Sequence, residues 1–167
     1  MPFSKELRVV DETFFDTAAT TVQIAKRIPC NANTLFALLA DAPAWVEWLG
    51  ADSVEYTSDP PHGVGSTRKV FIRRQWIDER FITWEPGKRL AFYGSASTLP
   101  LAAFAEDFAI TPDGADHCVL SWTTAIDGRP KLLSSSLGIA ARANGNRTLN
   151  KLVVYVNENK NRYQESA

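Results

Sequence analysis

The sequence predicts an α+β domain in which a curved antiparallel sheet of about six or seven strands wraps around one long C-terminal helix. An alternating run rich in β-branched residues, Thr20 to Ile28, forms the first strand. From Val54 onward, runs of about 6 to 10 residues alternate with turn signals, which is typical of an antiparallel meander. After Pro130 the apolar residues recur with a helical period as far as Val156.

Two short helices are predicted between the first strand and the meander. Pro29 ends the strand, and Asn31 or Asn33 can cap a helix that carries an apolar stripe. The segment 41–49 forms the second helix, with Pro43 in its first turn, where a missing N–H costs nothing. Its two tryptophans, Trp45 and Trp48, lie on one helical face.

The meander is predicted to consist of six strands joined by turns and loops. Glu85 to Lys88 and Thr111 to Asp116 have the composition of tight turns. A loop with two prolines and two glycines, Asp59 to Gly65, precedes the second of these strands. The predicted strands are Val54 to Thr57, Thr67 to Arg74, Trp76 to Trp84, Arg89 to Ser95, Ala103 to Ile110 and Cys118 to Ile126.

The C-terminal helix contains small residues that bear on function. Gly138 and Gly145 each cost roughly 1 kcal/mol relative to alanine in a helix interior, and Gly145 with Asn146 predicts a kink. The stretch from Ser134 to Gly145 also lacks bulk, so it cannot fill the space above a curved sheet as a leucine-rich face would. A void between helix and sheet is therefore expected.

Composition excludes several classes of function. The chain has 167 residues, 45% hydrophobic and 22% charged, with a formal charge of -1, as expected for one globular domain. That balance offers no excess positive charge, so no nucleic-acid partner is predicted. No apolar run reaches the roughly 18 residues of a membrane span, and the charged N-terminus lacks a signal-peptide pattern, so we expect a cytoplasmic protein.

We divide the chain into an N-terminal extension, residues 1–19, a domain, residues 20–157, and a C-terminal tail, residues 158–167. The sequence leaves open whether the protein is a monomer or a homodimer. Cys30 and Cys118 form no Cys-x-x-Cys pair and have no histidine at ligand spacing, which predicts buried thiols and no metal site. His62 and His117 adjoin turns and are predicted to be exposed. No glycine-rich nucleotide motif is present, so no cofactor is predicted.

This order of elements is a helix-grip arrangement, and several segments carry a further resemblance between about Val22 and Val156. They are Ile28–Pro29–Cys30–Asn31–Ala32, Leu35 to Leu39 with Asp41 and Trp48, Gly63–Val64–Gly65, Glu79–Arg80, Trp84 to Leu90, Phe108 to Pro112 with Gly114, and Leu120–Ser121–Trp122. Through them the chain resembles the START/Bet v 1-like (SRPBCC) superfamily, and within it the polyketide cyclase/dehydrase-type branch.

The resemblance implies an internal pocket for a hydrophobic small molecule. Proteins that look like this include polyketide aromatases and cyclases, hormone receptors, and carriers of lipids, sterols and quinones. Catalytic positions differ between the branches of the superfamily, so the resemblance assigns no active-site residue to this chain. The choice between binding and catalysis therefore depends on the residues themselves.

Strand parity selects candidate catalytic residues, because alternate residues share one face of a sheet. Glu106 lies on the inward parity of Phe104 and Phe108, where burial would raise its pKa and suit a general acid or base. Its alternative is a strand end or bulge that turns the side chain to solvent. Arg68 and Arg80 are the cations that could meet this acid or a ligand carboxylate, and surface ion pairs are their alternative.

Aromatic and small residues on the inward parities are candidates for a ligand cavity. An ordinary core would give the same pattern, so both interpretations remain open. The candidate ligand-binding residues are Trp76, Trp84, Phe92, Phe104, Phe108, Trp122, Leu137 and Ala141.

Three functional hypotheses follow. The first is a protein that binds a lipid-like or aromatic polyketide-like molecule between sheet and helix. The second is a cyclase or dehydratase in which Glu106, Arg68 or Arg80, and Tyr93 position and protonate a carbonyl. The third is a protein-interaction module with a filled core and an exposed face formed by Trp45 and Trp48.

Overall fold

A curved sheet of eight antiparallel strands packs one face against a 26-residue helix in the computed structural model of the protein, which describes residues 5–164. This is the predicted helix-grip fold. The strands are β1 (Lys5–Glu6), β2 (Thr20–Ile28), β3 (Ser53–Tyr56), β4 (Thr67–Ile72), β5 (Gln75–Glu85), β6 (Arg89–Ser97), β7 (Leu101–Pro112) and β8 (Cys118–Gly128). The α-helices are α1 (Phe14–Thr17), α2 (Ala32–Ala40), α3 (Ala42–Leu49), α4 (Ser134–Asn159) and α5 (Asn161–Gln164), with a 3-10 turn at Lys131–Leu133.

The strand order explains how the first strand closes the sheet. The order is β2-β8-β7-β6-β5-β4-β3, and β1 pairs with β6. The first and last long strands of the chain are therefore neighbours, and α4 lies against both. We call the face toward α4 the inner face and the opposite one the outer face.

A capping residue and a first-turn proline mark where the two short helices begin. The Asn31 side chain accepts a hydrogen bond from the Thr34 backbone N–H at 2.8 Å, which caps α2. Pro43 occupies the first turn of α3. Both tryptophans of α3 are buried, and the Trp45 indole donates to the Leu39 carbonyl at 2.8 Å. The exposed tryptophan face of the third hypothesis is therefore wrong.

The glycines of α4 bring the helix close to β2. A Cβ added to Gly138 would lie 2.3 Å from Thr20 Cγ2, and one on Gly145 would lie 2.5 Å from Ile24 Cδ1. Both distances are far below van der Waals contact, so a side chain at either position would force the neighbouring side chain of β2 to move. The α4 helix runs without a break through Gly145, and the predicted kink there stays a prediction.

The N-terminal segment contacts both faces of the sheet. Phe14 is buried on the outer face against Tyr93 and the small residues of β7 and β8, whereas Leu7 is buried in the inner-face cluster that Leu137 of α4 joins. Asp127 holds this segment through an ion pair with Arg8. At the other end of the chain, the predicted tail packs on the fold, since the Tyr163 hydroxyl donates to the Asp41 carboxylate at 2.8 Å. Within residues 5–164, no helix combines the length and apolar character needed to cross a membrane.

Candidate functional site

A cleft of about 500 Å³ opens between α4, the end of α3, the β4–β5 hairpin and the inner face of β7 and β8. Its walls are mixed: Leu49, Ile72 and Ala141 contribute apolar surface, and polar side chains such as Gln75 and Asn144 contribute about as much. Three inward side chains of the sheet form its floor: Glu106, Trp122 and Thr124. The predicted void therefore exists, and it lies beside the part of α4 that contacts β2.

The floor carries polar groups that lack full partners. Glu106 and Thr124 face each other across β7 and β8, and the Thr124 hydroxyl donates to the Glu106 carboxyl at 3.2 Å. The Trp122 side chain is 7% exposed, and its indole N–H has no hydrogen-bond partner within residues 5–164. Its ring stacks on Phe108 with centroids 5.1 Å apart. The indole also favours the ionised form of Glu106, so it lies near that carboxyl without meeting hydrogen-bond geometry, and a ligand acceptor placed against both residues can satisfy the N–H.

The environment of Glu106 changes its protonation. Burial raises its pKa to about 8, and repulsion from the nearby Glu79 carboxylate adds to the shift. The hydroxyl of Thr124, the indole of Trp122 and the charge of Arg68 favour the ionised form, but burial outweighs them. At neutral pH the carboxyl therefore holds a proton most of the time, and it can donate as well as accept a hydrogen bond.

A second carboxylate on the inner face is closed off from the cleft. The Arg68 Nε and Nη2 atoms donate to one oxygen of Glu79 at 2.8 and 2.6 Å. The two side chains are 0% and 5% exposed. Burial raises the pKa of Glu79, and the charge and hydrogen bonds of Arg68 oppose that shift. This pair fills the interior instead of opening to a ligand.

Aromatic rings enclose the Arg68 guanidinium. Its Cζ atom lies 4.1 Å from the ring centroid of Trp45, 5.1 Å from that of Phe81 and 5.0 Å from that of Phe92. Such contacts stabilise a cation through the ring quadrupole, most strongly when water is excluded. The Nη1 atom of Arg68 has no hydrogen-bond partner within the described chain. The arginine is thus held by one carboxylate and three aromatic faces.

The structure brings some predicted site residues together. Glu106, Trp122 and Ala141 line the cleft, and Arg68 lies deeper on the same face. Phe92 and Phe108 are fully buried beneath the floor and belong to the core. Trp84 packs edge-on against Phe36, whereas Phe104 and Leu137 pack near Leu101 and Ile126 at the other end of α4.

Other predicted residues lie on the outer face. The inward parity assigned to most of β5 is wrong: Glu79 and Phe81 face inward, Arg80 is exposed, and Trp76 packs against Lys69 with the ammonium 4.3 Å from its ring centroid. Arg80 and Trp76 therefore take no part in the cleft.

Tyr93 and His62 also differ from the predictions. Tyr93 is buried on the outer face under α1, so it cannot act beside Glu106. His62 is half-buried, not exposed, and its ring stacks on Tyr56 with centroids 3.7 Å apart. Cys30 and Cys118 are buried free thiols.

A bulge explains the parity error on β5. Phe81 pairs with Phe92 and Thr83 with Ala91, so Ile82 is an extra residue on β5. Trp84 does face inward, but counting back from it in steps of two crosses the bulge and selects Arg80 in place of Glu79. Glu79 was missed for this reason, although its alternation with Phe81 was a usable signal.

Comparison with known proteins identifies the family. The sequence profile of the family described as polyketide cyclase / dehydrase and lipid transport matches residues 19–156. The chain belongs to this family. An uncharacterized protein of Mycobacterium tuberculosis (strain ATCC 25618 / H37Rv), Rv2574, is 38% identical over 118 residues, which cover 68% of this chain and 69% of that protein.

Solved structures share the fold of this polyketide cyclase / dehydrase family member. The Zhui aromatase/cyclase from Streptomyces sp. R1128 superposes with a TM-score of 0.73 at 12% identity, covering 84% of this chain and 94% of that one. A START superfamily protein from Mycobacterium smegmatis gives 0.63 at 12% identity, covering 88% and 99%. Norcoclaurine synthase from Thalictrum flavum, in complex with dopamine and hydroxybenzaldehyde, gives 0.60 at 17% identity, covering 81% and 86%. At these identities the likeness concerns the fold alone.

Proposed function

We propose that the protein binds a hydrophobic small molecule in the cleft, with a polar group of the ligand placed against Glu106 and Trp122. One observation carries the proposal: a buried indole N–H without a hydrogen-bond partner among the described residues lies on the floor of an open cavity whose walls combine apolar and polar side chains. Buried polar groups without partners are rare in folded proteins, and a ligand acceptor is a direct way to satisfy this one. The ligand would therefore combine an apolar body with a carbonyl or hydroxyl group.

The size and lining of the cleft support a ligand of this kind. Its volume of about 500 Å³ falls within the range of small-molecule sites. The family name includes both polyketide cyclases and lipid transport, and the fold is shared with an aromatase/cyclase. We therefore favour an aromatic, polyketide-like or lipid-like ligand. The cytoplasmic location and the oligomeric state, a monomer or a homodimer, stay predictions.

A blocked cleft tests the proposal. In Ala141→Trp, the new indole should occupy the cleft, whereas in Ala140→Trp it should stand on an exposed face of α4 as a matched control. We expect the wild type and Ala140→Trp to bind the neutral fluorophore N-phenyl-1-naphthylamine equally and Ala141→Trp to lose at least about tenfold in affinity. Equal binding by all three proteins would place the apolar site elsewhere and overturn the proposal.

A second candidate function is cyclase or dehydratase catalysis, and the protonated state of Glu106 favours it. A carboxylic acid with a pKa of about 8, open to a cavity, can protonate a carbonyl or a departing hydroxyl as a general acid. Glu106→Gln keeps the shape and hydrogen bonding but cannot transfer a proton. With a β-hydroxyketone substrate, catalysis predicts that this variant binds normally and loses turnover, and a variant that retains full turnover would exclude this role of Glu106.

A further inference from the structure

The mouth of the cleft is ringed by cations. Arg73 on the β4–β5 hairpin and both Arg147 and Lys151 on α4 line it, and all three side chains belong to exposed residues. No ion pair joins any of them to a carboxylate in the part of the chain that is described. The only acid lining the cleft within residues 5–164 is Glu106, on the floor. This local excess of positive charge contrasts with the formal charge of -1 on the whole chain.

The hairpin that carries Arg73 has an unusual backbone. Arg73 and Arg74 form its tip with φ angles of 49° and 67°, in the left-handed region. Hairpin turns of this kind ordinarily use Asn-Gly or other glycine-containing pairs, because a Cβ is disfavoured there. The Asp52 carboxylate accepts a hydrogen bond from the Arg73 N–H at 2.7 Å and fixes the turn. Turn chemistry alone therefore does not account for arginine at this position.

The helix side of the mouth shows a similar feature. Arg147 and Lys151 are four residues apart, so they are neighbours on one helical face, where like charges repel. Lys151 also borders an adjacent groove with Glu47, but the two form no ion pair among the described residues. Two like charges placed side by side at a cleft mouth weaken the helix slightly, and a bound anion would reverse that effect.

Resting on the proposed function, we infer that the ligand is an amphipathic organic anion, whose apolar body occupies the cleft while its carboxylate, sulfonate or phosphate group binds Arg73, Arg147 and Lys151 at the mouth. Arginine binds such oxyanions in a bidentate fork, and lysine adds a point charge. Contacts of this kind lie partly in solvent and are screened by salt. Affinity for the anion should therefore fall as salt concentration rises.

Two fluorophores with the same ring system test the inference. 1-Anilinonaphthalene-8-sulfonate carries a sulfonate that N-phenyl-1-naphthylamine lacks, so the ratio of their dissociation constants isolates the anionic group. We expect the wild type to prefer the sulfonate by about tenfold at low salt. Arg147→Gln/Lys151→Gln should remove most of that preference and change binding of the neutral probe by less than about twofold. The matched control Arg129→Gln/Lys131→Gln removes two exposed cations outside the cleft and should keep the preference.

The outcomes separate this inference from the function on which it rests. Failure of the neutral probe to bind, or binding that Ala141→Trp does not block, overturns the proposed cleft and the inference with it. Blocked binding of the neutral probe, with no preference for the sulfonate, overturns the anionic rim alone. A preference that both double variants lose equally reflects overall charge and also overturns the rim.

A displacement assay distinguishes a free anion from a lipid headgroup. Displacement of the bound sulfonate probe by 2-naphthoate but not by the neutral 2-naphthamide supports a free organic anion. Displacement by phosphatidylglycerol vesicles but not by phosphatidylcholine vesicles supports an anionic headgroup with the same chemistry. If the neutral amide or the phosphatidylcholine vesicles displace the probe equally well, the rim does not recognise the anionic group.

Discussion

Glu79 and Glu106 are both inward-facing glutamates of one sheet, but they differ in their hydrogen-bond partners and in their access to the cleft. Glu79 receives two hydrogen bonds from Arg68, whose guanidinium is enclosed by aromatic rings. Glu106 receives one bond of 3.2 Å from Thr124 and opens to the cleft. The ion pair with Arg68 makes Glu79 a structural residue. Glu106 has no ion-pair partner among the described residues, so it is protonated at neutral pH and can contact a ligand. Burial alone therefore does not identify a functional acid.

The two acids also interact. Glu79 raises the pKa of Glu106, and Arg68 lowers it. The effect of Glu79 is the larger of the two, so the pair as a whole still raises the pKa of Glu106. Desolvation then remains the main cause of the raised pKa of Glu106.

Breaking the closed pair should have the largest effect. Arg68→Met leaves the Glu79 carboxylate buried without its cation, and losing one partner of such a pair costs about 3–5 kcal/mol. Arg68→Met/Glu79→Leu removes both charges and should be considerably more stable than Arg68→Met. The free energy of unfolding in urea measures both variants. A single variant as stable as the wild type would show that the pair is not a structural element.

The open acid should make stability depend on pH. Its pKa rises from 4.5 to about 8 on folding, so its contribution to stability is complete below about pH 4.5 and is lost as the pH rises through about 8. The side chain is half-buried and borders the open cleft, so solvent screening limits the loss to roughly 1–3 kcal/mol. Glu106→Gln should remove this pH-dependent contribution to stability. The unfolding free energy of the wild type should therefore fall relative to that of the variant as the pH rises from about 5 to about 9. A difference that is independent of pH would contradict the raised pKa.

The unpartnered indole should affect binding more than stability. Trp122→Phe keeps a ring to stack on Phe108 and removes only the buried N–H, so we expect a stability change below about 1 kcal/mol. Binding of 2-acetylnaphthalene should weaken about fivefold relative to 2-ethylnaphthalene, since only the ketone can accept from the indole. Displacement of N-phenyl-1-naphthylamine measures both. A preference that survives in Trp122→Phe would show that the indole does not contact the ligand.

Much of the fold could be predicted from local sequence signals. The bounds of β2 agree with the structure, and Asn31 caps α2 as its side chain suggested. Parity on β7 and β8 also placed Glu106 and Trp122 on the inner face, because no bulge interrupts the pairing of those residues. Glu79 could not be found in the same way, because the extra residue Ile82 reverses the parity of β5.

Sequence could not separate cleft from core. Phe92 and Trp122 are both inward aromatic residues, but Phe92 is covered by Trp45 and Phe108, whereas Trp122 lies where α4 leaves space above the sheet. That difference depends on where one helix packs, which is set by contacts distant in sequence. The rim is invisible for the same reason, since Arg73 and Arg147 are brought together only by the fold.

The two glycines of α4 should also respond differently to substitution, because the side chains that they meet on β2 differ in stiffness. In Gly138→Ala the new methyl meets the branched, stiff Thr20 side chain, so the clash should outweigh the gain in helix propensity and cost about 1–2 kcal/mol. In Gly145→Ala, beside the cleft, it meets only the flexible end of Ile24, and a propensity gain of about 1 kcal/mol should offset the shift. Thermal unfolding of both variants measures the difference. Equal destabilisation would mean that α4 packs as rigidly at Ile24, beside the cleft, as it does at Thr20, so the cleft could not adjust to its ligand by small movements of Ile24.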